Sequence, residues 1–486
     1  NVVTLVATFF FVLIFMNKRL LFIVLCFFLS VSIQAQEGTN INHLAQYQYD
    51  TDRLSIEFCQ NRRTALRNLM AENSVAVIGS NPIRNRANDV DFQYHPYPNF
   101  YYLTSFKEPN AVLILFQSPI TYKGSLITEL LLLQSRDPKS EVWDGRRLGV
   151  THVDTFLGID HAEAITDFQF KEISWTNFDQ VFYEKNNLLI DENRKVNEDL
   201  NQFKRGFIDV LKKRKVKSNG DQLTKSLAIL REVKLDEEMT FLQKAIDITC
   251  KAQIELMKSL KAGMAEYQSE AILEYVFKAE GAEYPGFPSI QGGGENSCIL
   301  HYTTNRKVLN NEHLLVSDVG AEYRGYTADV TRTLPVDGVF SEEEKEIYNL
   351  VLKAQNAGIR AALAGNSFGA TNQAATEVIA DGLVKLGIIT NRKQVRTYFM
   401  HGTSHYLGLD VHDLGTYGPL KPGNVITVEP GIYIAAGSNC DPKWWDIGVR
   451  IEDDILITDG EPINLSKAAP RTVKEIEEMM KLESKF

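Results

Sequence analysis

HLLVSDVGAEYRGYTADVTRTL, at residues 313–334, is the stretch that decides the fold, because it predicts a β-hairpin with one aspartate on each strand. Its two β-rich runs flank a turn near Tyr323-Arg324-Gly325, which places Asp318 and Asp329 roughly opposite each other. Facing residues of antiparallel strands have Cβ atoms about 4.5–5.5 Å apart, and two carboxylates this close repel each other. The hairpin therefore indicates a site for divalent cations. The alternative is a polar hairpin whose aspartates face water.

Three histidines follow in HGTSHYLGLDVHD, at residues 401–413, and they are His401, His405 and His412. The segment lacks the HExxH pattern of a zinc-protease helix, because Gly402 stands where the glutamate would be. Any one of these histidines could be an ordinary half-buried side chain. A metal-binding role therefore depends on the carboxylates found elsewhere in the chain.

Two later strands each supply such a carboxylate. ITVEPG, at residues 426–431, places Glu429 at the end of an apolar strand and directly before a Pro-Gly turn. IGVRIEDDILIT, at residues 447–458, alternates so that Arg450, Glu452 and Asp454 share one face. A carboxylate on an otherwise apolar strand is costly to bury without a partner, and a metal ion is the simplest partner.

Four carboxylates and one histidine would form the ligand set, which consists of hard oxygens and a single imidazole. They are Asp318, Asp329, Glu429, Glu452 and His405. Such a set suits Mn²⁺, Co²⁺ or Zn²⁺, and the sequence does not choose among them. Two divalent cations held in this way would lower the pKa of a bridging water towards about 7. The pattern therefore indicates metal-assisted hydrolysis by a hydroxide that bridges the two metals.

Several motifs in one order make the chain similar to a known family. They are CILHYTTN, SDVGAEYRGYTADVTRT, HGTSHYLGLDVHD, TVEPGIYI and VRIEDDILIT, and in the amino-terminal half the long run from Asn73 to Leu115 and SEVWDGRRLGV. Together they resemble the Xaa-Pro aminopeptidases (aminopeptidase P) of the pita-bread metallopeptidase family, which also includes prolidase, methionine aminopeptidase and creatinase. The resemblance implies an α/β (α+β) fold, with a mixed α/β amino-terminal domain followed by a pita-bread catalytic domain that has a curved antiparallel sheet.

The same resemblance implies which residues act. The metal ligands would be Asp318, Asp329, His405, Glu429 and Glu452, with Asp329 and Glu452 bridging two ions, most simply Mn²⁺. The catalytic residues would be His301, His401, His412, Glu429 and Arg450. His301 would contact the substrate and help to move protons, and His401 or His412 would polarise the scissile carbonyl. Glu429 would shuttle the proton.

The implied activity is release of the first residue from peptides that have proline in the second position. The alternative within the family is a prolidase, which cleaves Xaa-Pro dipeptides. Prolidases usually carry glycine where this chain has Ser404, and the HYTTN and RIEDDILIT strings also favour aminopeptidase P. A remoter alternative is a peptide-binding module without catalysis, but such a module would not keep all five ligands.

Length and charge agree with a two-domain enzyme. The chain has 486 residues and 44% hydrophobic residues, so it can form sizeable cores. We expect an amino-terminal domain over residues 45–217 and a catalytic domain over residues 223–486. The formal net charge of −10 argues against a nucleic-acid partner. The resemblance also implies a homo-oligomer.

The amino terminus predicts export. MNKRLLFIVLCFFLSVSIQA, at residues 16–35, has a basic start, an apolar core and a small residue at Ala35, as in a cleaved secretory signal peptide. Residues 1–35 would thus be absent from the mature protein, which would be periplasmic or secreted without stable membrane insertion. The alternative is a retained membrane anchor. The four remaining cysteines lack metal-type spacing and are expected to be single thiols.

Overall fold

The computed structural model describes residues 47–184, 199–214 and 220–486. The predicted signal peptide lies outside these ranges, as does part of the predicted boundary at residues 218–222. Within the described ranges, no helix combines the length and the apolar composition that a membrane crossing needs.

The amino-terminal part consists of one mixed sheet and surrounding helices. Its helices are α1 (Ile56–Leu69), α2 (Pro98–Thr104), α3 (Pro138–Asp144), α4 (Val153–Leu157) and α5 (Asp199–Arg214). Its strands are β1 (Ser74–Gly79), β2 (Asn85–Ala87), β3 (Val90–Asp91), β4 (Val112–Tyr122), β5 (Ser125–Leu133), β6 (Ala162–Ala164) and β7 (Gln180–Tyr183). The main sheet has the order β6-β5-β4-β1-β7, and its two outer pairs are parallel while its inner pairs are antiparallel.

The apolar runs of this sheet are buried on both faces. Along β1, Ala76 and Ile78 pack into one core cluster, whereas Val75 and Val77 pack into another on the opposite face. Side chains of a strand alternate between faces, so a continuous apolar run is what a strand covered on both sides requires.

The later part contains long helices and short antiparallel strands. Its helices are α6 (Gly220–Arg231), α7 (Asp236–Ser259), α8 (Glu266–Ala279), α9 (Glu342–Ala361), α10 (Ala370–Lys385) and α11 (Val473–Met479). Its strands are β8 (Tyr284–Pro285), β9 (Ile290–Gly293), β10 (Leu314–Val319), β11 (Ala321–Tyr323), β12 (Tyr326–Thr327), β13 (Val330–Pro335), β14 (Val425–Val428), β15 (Gly431–Ile434), β16 (Ile447–Arg450), β17 (Asp453–Leu456) and β18 (Ile463–Asn464). Every ladder among these named strands is antiparallel, which agrees with the predicted catalytic fold.

The predicted hairpin is present, but its register differs from the expected one. Arg324 and Gly325 have φ angles of 51° and 84°, so they form the two-residue turn with positive φ that suits a tight hairpin. In β10 and β13, Asp318 faces Thr331 and not Asp329. Asp329 precedes Thr331 by two residues and therefore lies on the same side of the strand. The direct pairing of the two aspartates was wrong, although their shared side was right.

Gly320 lies where the ladder is interrupted, opposite Asp329. A Cβ atom at Gly320 would lie 1.7 Å from the backbone oxygen of Ala328, so only glycine allows the two chains to approach this closely. The interruption separates the upper pair β11–β12 from the lower pair β10–β13.

The domain boundary stays a prediction. Leu223 and Leu227 of α6 and Phe241 of α7 pack into the same core cluster as Phe58 of α1. The helices that follow the predicted boundary thus share a core with the amino-terminal part. A second large core lies between α7, α8, α9 and α10 and the strands that carry the site.

Candidate active site

All nine residues that the sequence singled out line one cavity of about 640 Å³. They are His301, Asp318, Asp329, His401, His405, His412, Glu429, Arg450 and Glu452. Asp318 is the penultimate residue of β10, Glu429 follows β14, and Glu452 lies in the two-residue gap between β16 and β17. The fold therefore brings together residues that are spread over about 150 positions of the chain.

The predicted metal ligands form a compact set of oxygen and nitrogen donors. One ligand atom each of Asp329, His405 and Glu452 lie within 4.8 Å of one another. His405 Nε2 is 3.5 Å from Asp329 Oδ2 and 3.5 Å from Glu429 Oε1. The Oδ1 atoms of Asp318 and Asp329 are buried and have no hydrogen-bond partner among the residues that the structure describes. Buried carboxylate oxygens that lack a donor are what a divalent cation would satisfy, so the residues fit the predicted metals.

The pKa shifts of the acidic cluster also indicate that it requires compensating positive charge. Burial raises the pKa of Asp329 well above its ordinary value, and the charges of Asp318, Asp454 and Glu429 add to the shift. Burial likewise raises the pKa of Glu452 well above its usual range, with Asp329 as the next contributor. Like charges in a dry pocket oppose ionisation unless protons or cations compensate them. The cluster therefore favours binding of positive charge.

Arg450 is the one arginine in the cavity lining, and it is committed to Asp318. Its Nη2 donates to Asp318 Oδ2 at 2.6 Å, its Nε donates to Thr331 Oγ1 at 3.2 Å, and its Nη1 donates to the hydroxyl of Tyr433 at 3.0 Å. Thr331 in turn donates to Glu452 Oε2 at 2.6 Å. Arg450 thus orients Asp318 directly and Glu452 through Thr331. These contacts favour a positioning role for Arg450 over contact with the reacting atoms.

Both ring nitrogens of His401 are already engaged. Nδ1 is 2.7 Å from the backbone oxygen of Gly402, and Nε2 is 2.8 Å from the hydroxyl of Tyr433. Burial lowers the pKa of His401 to about 4, with Arg450 as the next cause, so the ring is neutral at neutral pH. Nδ1–H therefore donates to Gly402, and Nε2 accepts from Tyr433. No ring nitrogen of His401 is left to polarise a carbonyl.

His412 and His301 are the histidines that remain open to a substrate. Both are exposed at the cavity, and the ring of His412 lies 4.3 Å from that of His405, centroid to centroid. Burial lowers the pKa of His412, and the proximity of His405 and His301 lowers it further. The sequence leaves both His401 and His412 as candidates for polarising the substrate carbonyl. Of these two, His412 is the one whose ring is free to contact a substrate.

The sequence reasoning missed two components of the site. Tyr433 links His401 to Arg450, and its signal was its position in GIYI, two residues after the Pro-Gly turn. The second component is the apolar wall of the cavity, in which Leu300 and Val411 belong to quoted motifs but were not singled out; the wall consists of Phe287, Pro288, Ile290, Leu300 and Val411.

The cysteines take no part in the site. Burial raises the pKa of Cys298 to about 11, so its thiol is protonated at neutral pH and is a poor nucleophile. Cys59, Cys250, Cys298 and Cys440 are all free thiols, as expected.

Comparison with known proteins matches both parts of the chain. Residues 240–459 match the profile of metallopeptidase family M24, and residues 59–175 match that of the aminopeptidase P N-terminal domain. Xaa-Pro aminopeptidase of Escherichia coli (strain K12) is 36% identical over 433 residues, which cover 87% of this chain and 97% of that protein. Xaa-Pro aminopeptidase 3 of Homo sapiens is 33% identical over 414 residues, covering 83% of this chain and 80% of that protein.

Solved structures show the same similarity. The aminopeptidase PepP of Pseudomonas aeruginosa superposes with a TM-score of 0.79 at 33% identity, covering 88% of this chain and 99% of that one. Aminopeptidase P from E. coli with the inhibitor Pro-Leu superposes with a TM-score of 0.78 at 34% identity, covering 88% and 98%. The likeness extends over nearly the whole described chain.

Proposed function

This chain belongs to the Xaa-Pro aminopeptidases of metallopeptidase family M24, and we propose that it releases the first residue from peptides whose second residue is proline. The observation that supports the proposal is the convergence of all nine predicted site residues in one cavity. Relatives that match most of this chain are named Xaa-Pro aminopeptidase, which favours this activity over that of a prolidase. The presence of five ligand side chains disfavours a binding module without catalysis.

Asp318, Asp329, His405, Glu429 and Glu452 would hold two divalent cations, for which we propose Mn²⁺, with Co²⁺ and Zn²⁺ as alternatives. When bound, such cations supply Lewis-acid polarisation and an activated water. The acidic cluster also attracts the free amino group of a peptide, which accounts for removal of a single residue from the end.

Glu429 is the residue that we propose to carry the proton. It is half-buried, its Oε1 faces His405 and its Oε2 lies 3.7 Å from His401 Nδ1. Burial raises its pKa above the ordinary value of a glutamate, which brings it closer to the range in which a carboxylate can both take up and release a proton. It would accept a proton from the attacking water and pass it to the leaving nitrogen.

His412 and His301 are the residues that we propose to bind the substrate. The exposed ring of His412 can donate to the scissile carbonyl oxygen, where charge develops in the transition state. For His401 we propose a positioning role in place of the expected one: its ring bonds to Gly402 and Tyr433, and Tyr433 accepts from Arg450. The apolar wall offers a surface that suits a prolyl ring.

The test is hydrolysis of Xaa-Pro-Xaa tripeptides and Xaa-Pro dipeptides by protein stripped with a chelator and then titrated with Mn²⁺, Co²⁺ or Zn²⁺. We expect metal-dependent release of the first residue from the tripeptides, and its loss in Asp329→Asn. Cleavage of the dipeptides alone would make the protein a prolidase. No cleavage with any of the metals would contradict the proposal.

We also propose export through residues 16–35 and assembly into a homo-oligomer. The basic start and apolar core of that segment support export. Amino-terminal sequencing of the protein from the producing cell, after separation of soluble and membrane fractions, would test it: a start near residue 36 in the soluble fraction is expected, whereas an intact segment in membranes would indicate an anchor.

A further inference from the structure

Glu266, the first residue of α8, is a fully buried carboxylate bound by four donors from one neighbouring segment. Its Oε1 accepts from the backbone N–H of Gly293 at 2.9 Å and from the side-chain amide of Asn296 at 3.0 Å. Its Oε2 accepts from the hydroxyl of Tyr302 at 2.9 Å and from the backbone N–H of Lys307 at 2.9 Å. Each oxygen thus accepts two hydrogen bonds, and a carboxyl group is the side chain that offers this many acceptor sites.

The segment that Glu266 holds, residues 293–307, is the one that carries His301. It has little regular structure, with one 3₁₀ turn over Gly294–Cys298 and coil beyond it. Backbone bonds hold its two ends, where Gly293 pairs with Leu315 and Glu266 N–H donates to Lys307 O at 2.9 Å, so between them the segment depends mainly on side-chain anchors. Tyr302 turns inward to Glu266, while its neighbour His301 is exposed and lines the cavity.

We propose that Glu266 is a positioning residue that fixes His301 at the cavity for peptide cleavage, a role that rests on the proposed function. Without the carboxylate, the N–H groups of Gly293 and Lys307 and the hydroxyl of Tyr302 lose their shared acceptor, and residues 293–307 can leave the cavity wall. Glu266 does not line the cavity and acts only through the segment that it holds.

Glu266→Gln is the informative substitution, because it keeps the shape of the side chain but turns one acceptor oxygen into a donor. The new NH₂ group then faces two donors that it cannot bind. Glu232→Gln is the matched control. Glu232 is also fully buried, and it accepts from the backbone N–H and the hydroxyl of Thr416 at 2.9 and 2.6 Å and from Nζ of Lys421, two residues that do not line the cavity.

The first measurement asks whether the loss of activity in Glu266→Gln depends on the presence of His301. We expect Glu266→Gln to lower kcat/KM for an Xaa-Pro-Xaa tripeptide about tenfold in the Mn²⁺-loaded protein, and by less than about twofold when His301→Ala is already present. Tyr302→Phe, which removes one of the four donors, should show a smaller loss with the same dependence. Equal losses with and without His301 would overturn the proposal.

The second readout does not need activity. Cys298 is half-buried in the same segment, and its labelling rate by a maleimide, resolved by mass spectrometry of its peptide, reports how often the segment opens. We expect faster labelling in Glu266→Gln than in Glu232→Gln or the wild type. Should the wild type cleave no peptide, the proposed function fails, and unchanged labelling would then overturn the role of Glu266 as well.

Discussion

Glu452 and Asp453 are neighbours in the chain, and both are buried, yet their surroundings are opposite. Burial raises the pKa of Glu452 well above its usual range, and the nearby Asp329 adds to the shift. Burial would also raise the pKa of Asp453, but Arg332 and Arg471 outweigh it and hold that pKa below the ordinary value. One carboxylate faces a cluster of acids, and the other faces arginines.

The contacts of Asp453 show what a structural buried acid looks like. Arg332 donates to it at 2.8 Å, the Ser466 hydroxyl at 2.7 Å and the Gln355 amide at 3.0 Å. The carboxylate of Glu452 accepts one hydrogen bond within the described part of the chain, from Thr331. Side chains one residue apart point to opposite sides, so this short segment contributes to the core on one side and to the cavity on the other. Arginines of the chain compensate the charge of Asp453, whereas the charge of Glu452 needs a bound cation to compensate it.

The largest effect that tests this contrast is on activity. We expect Glu452→Gln to lower kcat/KM for an Xaa-Pro-Xaa tripeptide by on the order of a thousandfold at saturating Mn²⁺, because the ligand proposed to be shared by the two cations would be lost. The melting temperature of the chelator-treated variant should equal or exceed that of the wild type, because one repelling charge is gone. A variant that stays active would show that Glu452 is not a metal ligand.

The next effect is on stability. Asp453→Asn leaves the buried Arg332 without its full counter-charge, and we expect the free energy of unfolding to fall by about 3–5 kcal/mol. Urea unfolding of chelator-treated protein, followed by tryptophan fluorescence, measures this as a lower midpoint. Glu452→Gln serves as the isosteric control in the same assay. Equal destabilisation by both substitutions would remove the distinction between the two acids.

The smallest effect is on the pH dependence of stability and on the protons released when a cation binds. In the metal-free protein, the raised pKa values of Asp329 and Glu452 mean that their contribution to stability is present below about pH 4 and is lost as the pH rises through the raised values. Asp453 has the opposite sign, since its lowered pKa gives stability that is lost as the pH falls.

Cation binding must displace the protons that Asp329 and Glu452 retain, so affinity for Mn²⁺ should increase with pH. Calorimetric titration in two buffers of different ionisation enthalpy should show proton release, and Glu452→Gln should release fewer protons. Heats that do not depend on the buffer would contradict the raised pKa values.

Much of the site could be predicted because its residues occur in local patterns. The Arg324-Gly325 turn is a property of a short segment, and the structure reproduces it. Of the three residues expected on one strand face, Arg450 and Glu452 line the cavity but Asp454 does not, because the expected single strand is interrupted between β16 and β17. The family and the fold class were likewise readable from motifs in order. The roles assigned to the single residues stay predictions until they are tested.

The register of the hairpin could not be read in the same way. Pairing Asp318 with Asp329 differs from pairing it with Thr331 by a register shift that leaves every side chain on the same face. The polar pattern therefore fits both registers. The length of the turn distinguishes the two: Arg324 and Gly325 alone form it, so Tyr323 pairs with Tyr326, and the same register pairs Asp318 with Thr331.

The sequence by itself determined the chemistry of this protein: which acids and histidines are available, and that their charge needs divalent cations. Only the tertiary structure decided which of them are free to act. Tyr433 occupies the Nε2 atom of His401, Glu266 anchors the segment of His301, and arginines neutralise Asp453 but not Glu452. The physical reason is that these partners lie between 30 and more than 100 positions apart, and no local pattern records a hydrogen bond between segments that meet only in the folded chain.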